Sequence, residues 1–363
     1  MNNTQLHKEW LSLQPLSEKM ERDIRQQFMV DFNYNSNHME GNTLTYGQTK
    51  LLLLFGDVMG NARMQDYEEM KAHNVGLEWM KSMAQDKERM LSEVFIRELN
   101  RIILVRDFYK TSRDGDYRYE IKVGAYKTRS NSVVTLSGEI FNYAPPEETS
   151  SLMGDLVKWY RREEKKGKLK VQEIAALFHY RFIRIHPFED GNGRIARLLV
   201  NYILLRHGYP MIVIRTHDRD NYLDILHQCD LLTGNIPFDG ANASLEQVQP
   251  LAEYLAFILE KKLETLIKYA KGEIADFAEV KDGTIKTEPT VSVNVSVNGN
   301  VKKRIIEILI QKSDVSAREM AKILSVSERT IHRNIDILKK ENRIERVGSD
   351  KSGYWKVKPF RYN

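Results

Sequence analysis

The chain has 363 residues, which is long for one domain, so two or three domains are expected. Its 42% hydrophobic and 29% charged residues are enough for real cores and too balanced for global disorder. No apolar run approaches the roughly 20 residues of a membrane span, and MNNTQLHKEW lacks the layout of a secretory signal. The single cysteine, Cys229, excludes an intramolecular disulfide and a CxxC metal site. We expect a cytoplasmic protein with no membrane partner and a buried, inert Cys229 thiol.

Positive charge is concentrated near the C-terminal end. The net charge is +5, but residues 301–363 carry 16 Lys and Arg against 8 Asp and Glu, a balance of +8. The rest of the chain therefore sums to −3. Such regional basic character is typical of a module that faces nucleic acid.

Helical periodicity dominates the first 110 residues. KLLLLFGDVM and MQDYEEMKAHNVGLEWMKSMA carry apolar residues near a spacing of 3.6. The character becomes β-rich in YRYEIKVGAYKTRSNSVVT, residues 117–135, with Arg129, Ser130 and Asn131 in its polar middle, as in a hairpin. We therefore predict an N-terminal helical region over 1–110, followed by a hairpin.

The middle of the chain returns to a helical pattern after two prolines, Pro145 and Pro146, which block continuation of the β-rich segment. The helical stretches are LMGDLVKWYRREEKK, VQEIAALFHYRFIRI, RIARLLVNYILLRHG and LAEYLAFILEKKLETLIKYA. The segment IKTEPTVSVNVSVNGN lacks large core side chains, which favours a linker, with an isolated strand as the alternative. We predict a core domain over 111–275, a linker over 276–300 and a C-terminal domain over 301–363.

The C-terminal domain has the pattern of a winged helix-turn-helix. VKKRIIEILIQ, SAREMAKILSV and SERTIHRNIDILKKENRIERV give amphipathic helices, and GYWKV closes with strand-like character. The last helix would project four polar side chains outward, Glu328, Arg329, His332 and Arg333. Such a helix normally lies in the major groove of DNA, so we assign DNA contacts to Arg329, His332 and Arg333. A protein-docking or dimerising module is the alternative, which leaves a homodimer open.

The stretch HPFEDGNGRIAR, residues 186–197, concentrates polar chemistry between two apolar segments. Glycines such as Gly191 and Gly193 let the backbone approach a ligand closely and point N–H groups inward. A helix starting near Arg194 would add the positive end of its dipole. With Asn192 between the glycines, this arrangement favours an anion, most naturally a phosphate, although a plain turn is the default for GNG alone.

Two arginines, an acid and a histidine extend this anion site. Arg194 and Arg197 share a helix face, where two guanidiniums suit an oligophosphate; a pair of surface salt bridges is the alternative. Asp190 would repel phosphate unless a hard cation such as Mg²⁺ bridged them; its alternative role is a helix N-cap. His186 is near enough to take a proton from a hydroxyl nucleophile. Together they predict phosphoryl or nucleotidyl transfer, without a P-loop, because no GxxxxGK[ST] occurs.

HPFEDGNGRIAR resembles the signature of Fic-domain proteins, HPFx[DE]GNGRxxR, at every specified position, and RLLVNYILLRHGYP resembles the sequence that follows it in that family. The resemblance covers about residues 30–240. It implies a mainly α fold, with a Fic-type helical core and a β-hairpin flap that aligns a target segment by strand pairing. We place the flap at GAYKTRSNSVVT, residues 124–135, with an ordinary surface hairpin as the alternative. The resemblance also implies transfer of AMP from ATP to a Ser, Thr or Tyr hydroxyl of a target protein.

The resemblance assigns roles to the matching residues of this chain. His186 would be the base and Asp190 the Mg²⁺ ligand. Five residues would hold the phosphates of ATP, namely Gly191, Asn192 and Gly193 for the inner ones and Arg194 and Arg197 for the outer ones. Looser similarity places Tyr222 near the adenine.

A second stretch, NYNSNHMEGNTLTYGQTK, resembles the inhibitory helix of the same family, [ST]xxxE[GN], which Ser36, Glu40 and Gly41 satisfy. We place this helix over about 30–45. A carboxylate aimed at Arg197 would pair with the guanidinium and take the place of the γ-phosphate. The alternative is a plain helix ending, with Gly41 at its C-cap and Glu40 in solvent.

The sequence thus predicts a Mg²⁺- and ATP-dependent protein adenylyltransferase that is held in check by Glu40 and carries a small α+β winged-helix domain. One alternative is an enzyme that removes AMP from the modified target, with Glu40 positioning water. Another is transfer of a different phosphate-containing group. The alternative from a different class is a transcriptional regulator in which the Fic fold only senses nucleotide.

Overall fold

A computed structural model describes most of the chain, namely residues 3–112, 115–131, 133–134, 140–274, 301, 305–306, 308–309, 313, 315–324, 326–340, 344–347 and 353–357. The chain divides into two compact units, Met1–Gly283 and Thr284–Asn363. The described residues are mostly helical, and their strands form three two-stranded sheets. This architecture confirms the predicted mainly α fold. The predicted linker over 276–300 lies outside the described residues.

The first unit is built from helices whose starts are set by polar caps. Ser17, Thr45, Ser92 and Ser244 each accept a backbone N–H from the first turn of the helix that follows. The helices described are α1 (Asn3–Ser12), α2 (Glu18–His38), α3 (Tyr46–Phe55), α4 (Met64–Gln85), α5 (Glu93–Leu104), α6 (Pro146–Lys166), α7 (Val171–Ile185), α8 (Asn192–Arg206), α9 (Arg219–Thr233), α10 (Pro237–Ala241) and α11 (Leu245–Ala270).

Helices α7 and α8 form the centre of the first unit. They pack against each other, while α7 also contacts α6, α10 and α11, and α8 contacts α4. The apolar side chains of α8 are at most 1% exposed at Ile195, Leu198, Leu199 and Tyr202. Burying each such side chain contributes about 1.5–3 kcal/mol. The two helices that flank the predicted anion loop are therefore rigidly placed by the core.

Two short hairpins lie between α5 and α6. Strand β1 (Phe108–Thr111) pairs antiparallel with β2 (Arg118–Ile121), and β3 (Val133–Val134) pairs with β4 (Ile140–Phe141). The first hairpin follows α5 closely and was not predicted from the sequence, where the β-rich segment starts at Tyr117.

The predicted hairpin with residues 129–131 at its centre is wrong. These residues precede β3, and the amide of Asn131 donates to Phe188 O at 3.0 Å. Of the polar side chains that indicated a turn, Asn131 thus holds the loop between α7 and α8, and the guanidinium of Arg129 lies over the Tyr119 ring, 4.3 Å from its centroid. The flap placed at 124–135 contains β3, and residues 135–139 lie outside the described part of the chain.

The second unit has its own core. It contains α12 (Ala317–Leu324), α13 (Glu328–Lys340) and an antiparallel hairpin of β5 (Ile344–Val347) and β6 (Tyr354–Val357). Ser316 and Ser327 cap the two helices. The core side chains are Val301, Ile305, Leu309, Val315, Met320, Ala321, Leu324, Ile331, Ile335, Leu338 and Ile344. This arrangement confirms the predicted helix-turn-helix with a terminal β-ribbon; the first predicted helix, 301–311, falls partly outside the described residues.

Two composition-based expectations can be compared with the structure. Cys229 is a buried free thiol, as predicted, and burial raises its pKa to about 12. Within the described part of the chain, no helix combines the length and apolar character needed to cross a bilayer.

A buried asparagine fixes the chain where it leaves α8, and its loss should destabilise the first unit. Asn201 is 1% exposed, donates to Ile212 O at 3.0 Å and accepts from Ile212 N–H at 2.8 Å. Asn201→Ala leaves both backbone groups without this partner, at a cost of about 1–3 kcal/mol each. In calorimetry, the transition of the first unit should shift down by about 5 °C.

The matched control is Asn242→Ala. Asn242 is exposed and its amide donates to Phe238 O at 2.9 Å. Because water can replace this bond, the control should change stability by less than about 0.5 kcal/mol. Equal shifts for the two variants would contradict the structural role of Asn201.

Candidate active site

The stretch 186–197 forms a tight turn from α7 into α8. His186 follows α7 in the left-handed region with φ +51°, and its N–H donates to Phe182 O at 2.9 Å. Gly191 has φ +83° and occupies the N-cap position, so α8 begins at Asn192, before the predicted start near Arg194. The alternative role of Asp190 as the N-cap is therefore wrong, because Gly191 takes that position.

Asn192 shapes the loop with its side chain. It is 3% exposed; its Oδ1 accepts from Phe188 N–H at 3.0 Å and its amide donates to Phe188 O at 2.7 Å. The side chain is thus used within the loop, and the backbone N–H groups of the first turn of α8 are the donors that such a helix N-terminus offers to an anion.

His186 is held with one ring nitrogen against the backbone. Its Nδ1 lies 3.3 Å from Ile183 O, and its ring stacks on Tyr143 with centroids 4.0 Å apart. Burial and the nearby Lys127 ammonium lower the pKa of His186 to about 4, so the ring is neutral at pH 7. A proton on Nδ1, favoured by Ile183 O, leaves Nε2 as the acceptor.

Asp190 is surrounded by positive charge. One carboxylate oxygen contacts the Lys110 ammonium, and the other lies 3.4 Å from Arg194 Nη2. Burial raises the pKa of Asp190, but Lys110 and Arg194 outweigh it and hold the pKa below its ordinary value. Among the described residues, no group of three or more His, Cys, Asp and Glu could hold a metal ion. A single ionised carboxylate fits Mg²⁺, which binds through one or two carboxylates plus phosphate and water.

Both arginines of α8 are buried despite their charge. Arg194 and Arg197 have side chains 6% and 5% exposed. Arg197 donates to Glu40 Oε1 at 2.7 Å, and to Ser36 at its carbonyl at 2.8 Å and its hydroxyl at 3.1 Å. The structure therefore brings two of the predicted inhibitory residues onto the predicted phosphate-binding arginine.

Glu40 reaches this position from a turn after α2. The helix ends at His38, so the predicted helix over about 30–45 is too long at its C-terminal end, and Gly41 has φ +95°. A Cβ on Gly193 would lie 2.3 Å from Glu40 Oε1, so glycine permits the close approach. The alternative placed Gly41 at the C-cap and Glu40 in solvent. The C-cap is Met39, and the Glu40 carboxylate, although its side chain is 39% exposed, pairs with Arg197.

The charge of Glu40 follows from its surroundings. Burial raises the pKa of Glu40, but the guanidiniums of Arg197 and Arg194 outweigh it and keep the pKa below its ordinary value. The carboxylate is therefore ionised at neutral pH. It lies beside Gly193, in the first turn of α8, where the helix dipole and N–H groups favour an anion.

Tyr222 is about as buried as the predicted phosphate ligands Asn192 and Arg197. It is 3% exposed, and its hydroxyl is 2.7 Å from His179 Nε2. Burial, with the charge of Arg197, lowers the pKa of His179 to about 3, so this buried pair is neutral. The predicted contact of Tyr222 with adenine stays a prediction.

Three basic residues near the loop were missed by the sequence analysis. Lys110 contacts Asp190. Lys127 donates from its backbone N–H to Pro187 O at 2.8 Å and from Nζ to Ile185 O at 3.0 Å. Arg184 is 1% exposed and its guanidinium lies 4.8 Å from the Phe141 ring centroid. No local pattern in the sequence distinguishes them from the exposed cations of the chain.

The second unit presents the predicted DNA-contacting residues on one face of α13. Arg329, His332 and Arg333 are exposed. Ile331 and Ile335, on the opposite face of the helix, are at most 4% exposed. The helix is therefore amphipathic, and its polar face is open.

Comparison with known proteins agrees with both units. The family model described as Fic/DOC family matches residues 90–204, and one described as HTH domain matches residues 301–354. The crystal structure of a Fic domain containing signaling protein from Bacteroides thetaiotaomicron is 59% identical, covers 76% of this chain and 99% of that chain, and has a TM-score of 0.71. Fic-1 from C. elegans is 25% identical, covers 75% of this chain and 72% of that chain, and has a TM-score of 0.56.

Among curated proteins, the protein adenylyltransferase Fic of Nematostella vectensis is 30% identical over 213 residues, which is 58% of this chain and 45% of that protein. The chain thus spans less than half the length of this relative. The fold and site define a helical protein with a glycine-containing loop between two buried helices. The chain belongs to the Fic/DOC family, which confirms the family resemblance of the sequence.

Removing Arg197 should raise the pKa of Glu40. In Arg197→Met, burial continues to disfavour the carboxylate while its closest opposing charge is gone. In the wild type, the lowered pKa means that the contact stabilises the fold above the ordinary pKa of 4.5 and loses this effect as pH falls through the lowered value. NMR titration of ¹³C-labelled glutamate carboxyls measures the shift. Arg63→Met, which removes an exposed arginine paired with Asp66, should leave the Glu40 pKa unchanged; equal Glu40 pKa values in wild type and Arg197→Met would refute the pairing.

Proposed function

We propose that the protein transfers AMP from ATP to a hydroxyl side chain of a target protein. The observation that carries the proposal is the loop between α7 and α8, where a neutral histidine, an ionised aspartate, backbone N–H groups and two buried arginines converge. Relatives named protein adenylyltransferase support the reaction type. The target would be a protein with a Ser, Thr or Tyr hydroxyl.

His186 would act as the base. Its neutral ring at pH 7 can accept a proton at Nε2, while Nδ1 faces Ile183 O. The proton of the target hydroxyl passes to Nε2 as its oxygen bonds to the α-phosphorus. The bond between the α-phosphorus and the oxygen that bridges to the β-phosphate breaks, and pyrophosphate leaves with that electron pair.

The N-terminal turn of α8 would hold the phosphates. Backbone N–H groups of 191–193 and the helix dipole favour the inner phosphates. Arg194 and Arg197, at three-residue spacing on the same helix, would take the outer ones and stabilise the charge of the departing pyrophosphate. Asp190 would hold Mg²⁺, which would supply positive charge against that of the phosphates.

Glu40 would inhibit this reaction from within the chain. Its carboxylate is 2.7 Å from Arg197 Nη2, where a γ-phosphate oxygen would bind. Two anions compete for one guanidinium, so the γ-phosphate is displaced and the α-phosphorus is turned away from in-line attack. Positioning losses of this kind can lower the rate by orders of magnitude.

Glu40→Gly should therefore increase AMP transfer strongly, with a modest rise in ATP affinity. Incubation with ATP labelled at the α-phosphate measures self-labelling, and calorimetric titration measures affinity. The rate should increase at least about tenfold. Adding His186→Ala should lower transfer by about 10²–10⁴-fold while leaving ATP binding largely intact.

The control for this prediction is Glu88→Gly, at an exposed turn position after α4, which should leave labelling at the wild-type level. Unchanged rate and affinity in Glu40→Gly would mean that Glu40 does not inhibit. Undiminished labelling after His186→Ala would remove His186 from the mechanism.

We also propose that the second unit binds DNA. The exposed basic face of α13 and the HTH-domain match over 301–354 favour this function. The recognition helix would lie in the major groove, and Arg329, His332 and Arg333 would contact phosphates or base edges. The proposed site of action is the cytoplasm, where ATP is available.

Binding of the full chain to duplex DNA should weaken steeply with added salt, because phosphate contacts release counterions. Arg329→Ala with Arg333→Ala should weaken binding and lower the salt slope by about 1 for each phosphate that is no longer neutralised, as measured by fluorescence anisotropy. A control pair with the same charge change, Arg89→Ala with Arg162→Ala, removes exposed arginines of the first unit. Equal weakening by both pairs, or binding that is insensitive to salt, would contradict DNA recognition by α13.

A further inference from the structure

The ammonium of Lys110 contacts the carboxylate of Asp190, which the proposed function assigns to the metal. Lys110 lies on β1, its side chain is 40% exposed, and its ammonium both donates to and forms an ion pair with Asp190 Oδ2. The two residues are 80 positions apart, so this contact is created by the fold and not by the loop that carries Asp190.

The buried side chain of Asn100 links the β1–β2 hairpin to the loop that carries Asp190. Asn100 is 1% exposed; its amide donates to Asp190 O at 2.9 Å, and its Oδ1 accepts from Gly124 N–H at 2.9 Å. Gly124 follows β2, and its carbonyl accepts from Arg97 Nε at 2.7 Å. One side chain therefore holds both the loop and the end of the hairpin.

The base of the hairpin is held in a second way. Asp107 Oδ1 accepts from Val123 N–H at 2.8 Å, and the β1–β2 register places Phe108 opposite Ile121, which is 1% exposed. The backbone of Lys110 is thus set by contacts outside the ion pair, while its long side chain is 40% exposed.

The two cations on Asp190 differ in mobility. Arg194 is 6% exposed and is anchored in the core helix α8, whereas Lys110 is half-exposed on a flexible stem. A divalent ion on Asp190 requires oxygen ligands at about 2.0–2.1 Å, which an ammonium on the same oxygen would obstruct. Two positive charges at this distance also repel each other, so a metal would displace Lys110 first.

We propose that Lys110 occupies the metal side of Asp190 until metal and nucleotide arrive, and then moves to the phosphates of the nucleotide. The inference rests on the proposed nucleotide site. Before binding, the ammonium contacts Asp190 Oδ2 and holds the carboxylate directed toward the metal position. Afterwards, the ammonium of Lys110 would bind the phosphates of the nucleotide as a point charge. Lys110 is thus a positioning residue that exchanges partners.

The first test uses Mn²⁺ alone, followed by electron paramagnetic resonance on the full-length protein without nucleotide. Lys110→Met removes the competing cation and should tighten Mn²⁺ binding by roughly tenfold, the scale of one charge at close range. Lys110→Arg keeps the charge and should bind Mn²⁺ as the wild type does. Lys122→Met, which removes a lysine paired with Glu120 and Asp107, should have no effect.

The second test uses an ATP analogue that cannot be cleaved at the α-phosphate, at saturating Mg²⁺, measured by calorimetry in a Glu40→Gly background so that the carboxylate does not mask the site. Lys110→Met should weaken binding of the analogue by roughly five- to tenfold, and Lys110→Arg should largely restore it. Tighter Mn²⁺ binding together with weaker nucleotide binding in Lys110→Met would show that Lys110 exchanges Asp190 for the phosphates. An unchanged affinity for either Mn²⁺ or the analogue in Lys110→Met would overturn the proposal.

Two further measurements separate this inference from a folding defect and from the proposed function. The thermal midpoint of Lys110→Met should stay within about 2 °C of the wild type, because the side chain is half-exposed. Asp190→Asn should abolish the difference in Mn²⁺ affinity; a difference that survives places the metal elsewhere and overturns the exchange. Neither affinity measurement depends on AMP transfer. If Lys110→Met changes both affinities as expected but the protein transfers no AMP, only the proposed activity is refuted. If the protein transfers AMP but the affinities do not change, only this inference is refuted.

Discussion

The buried guanidinium of Arg197 is the constraint on which the site depends. A charge removed from water is costly unless a partner of opposite charge and good geometry is supplied. Arg197 is 5% exposed, and Glu40 and Ser36 supply that partner from the end of α2. Gly193 permits the approach, since a Cβ would overlap Glu40. An anion is therefore required at this end of α8, and the proposed regulation is a choice between a carboxylate of the chain and a phosphate of ATP.

His186, the proposed base, is also held in place by contacts from a distant part of the chain. His186 has φ +51°, a conformation that is uncommon for residues other than glycine and persists where surrounding contacts impose it. Lys127 provides two such contacts, to the carbonyls on either side of His186 at Ile185 and Pro187. The segment predicted as the flap thus holds the loop between α7 and α8, and its lysine adds the positive charge that, with burial, keeps His186 neutral.

Site residues that are adjacent in the chain were predictable from the sequence, and contacts between residues far apart in the chain were not. Residues 186–197 form one loop because they are adjacent in the chain, and α7 was predicted because its apolar pattern is continuous. Glu40 could be found only through a motif, since its partner is 157 positions away. The contact of Lys110 with Asp190 has no such motif. The hairpin around 129–131 was misplaced because Asn131 binds the loop between α7 and α8 and Arg129 packs over Tyr119, contacts between distant residues that a polar pattern does not reveal.

The central claim is that Glu40 and the γ-phosphate use the same place on Arg197. Crystal structures of the wild type and of Glu40→Gly, each with Mg²⁺ and a non-hydrolysable ATP analogue, test it most directly. In Glu40→Gly, a γ-phosphate oxygen should lie about 3 Å from Arg197 Nη2, and in the wild type Glu40 should keep that position with the γ-phosphate elsewhere. A γ-phosphate on Arg197 Nη2 beside an undisturbed Glu40 contact would contradict the account.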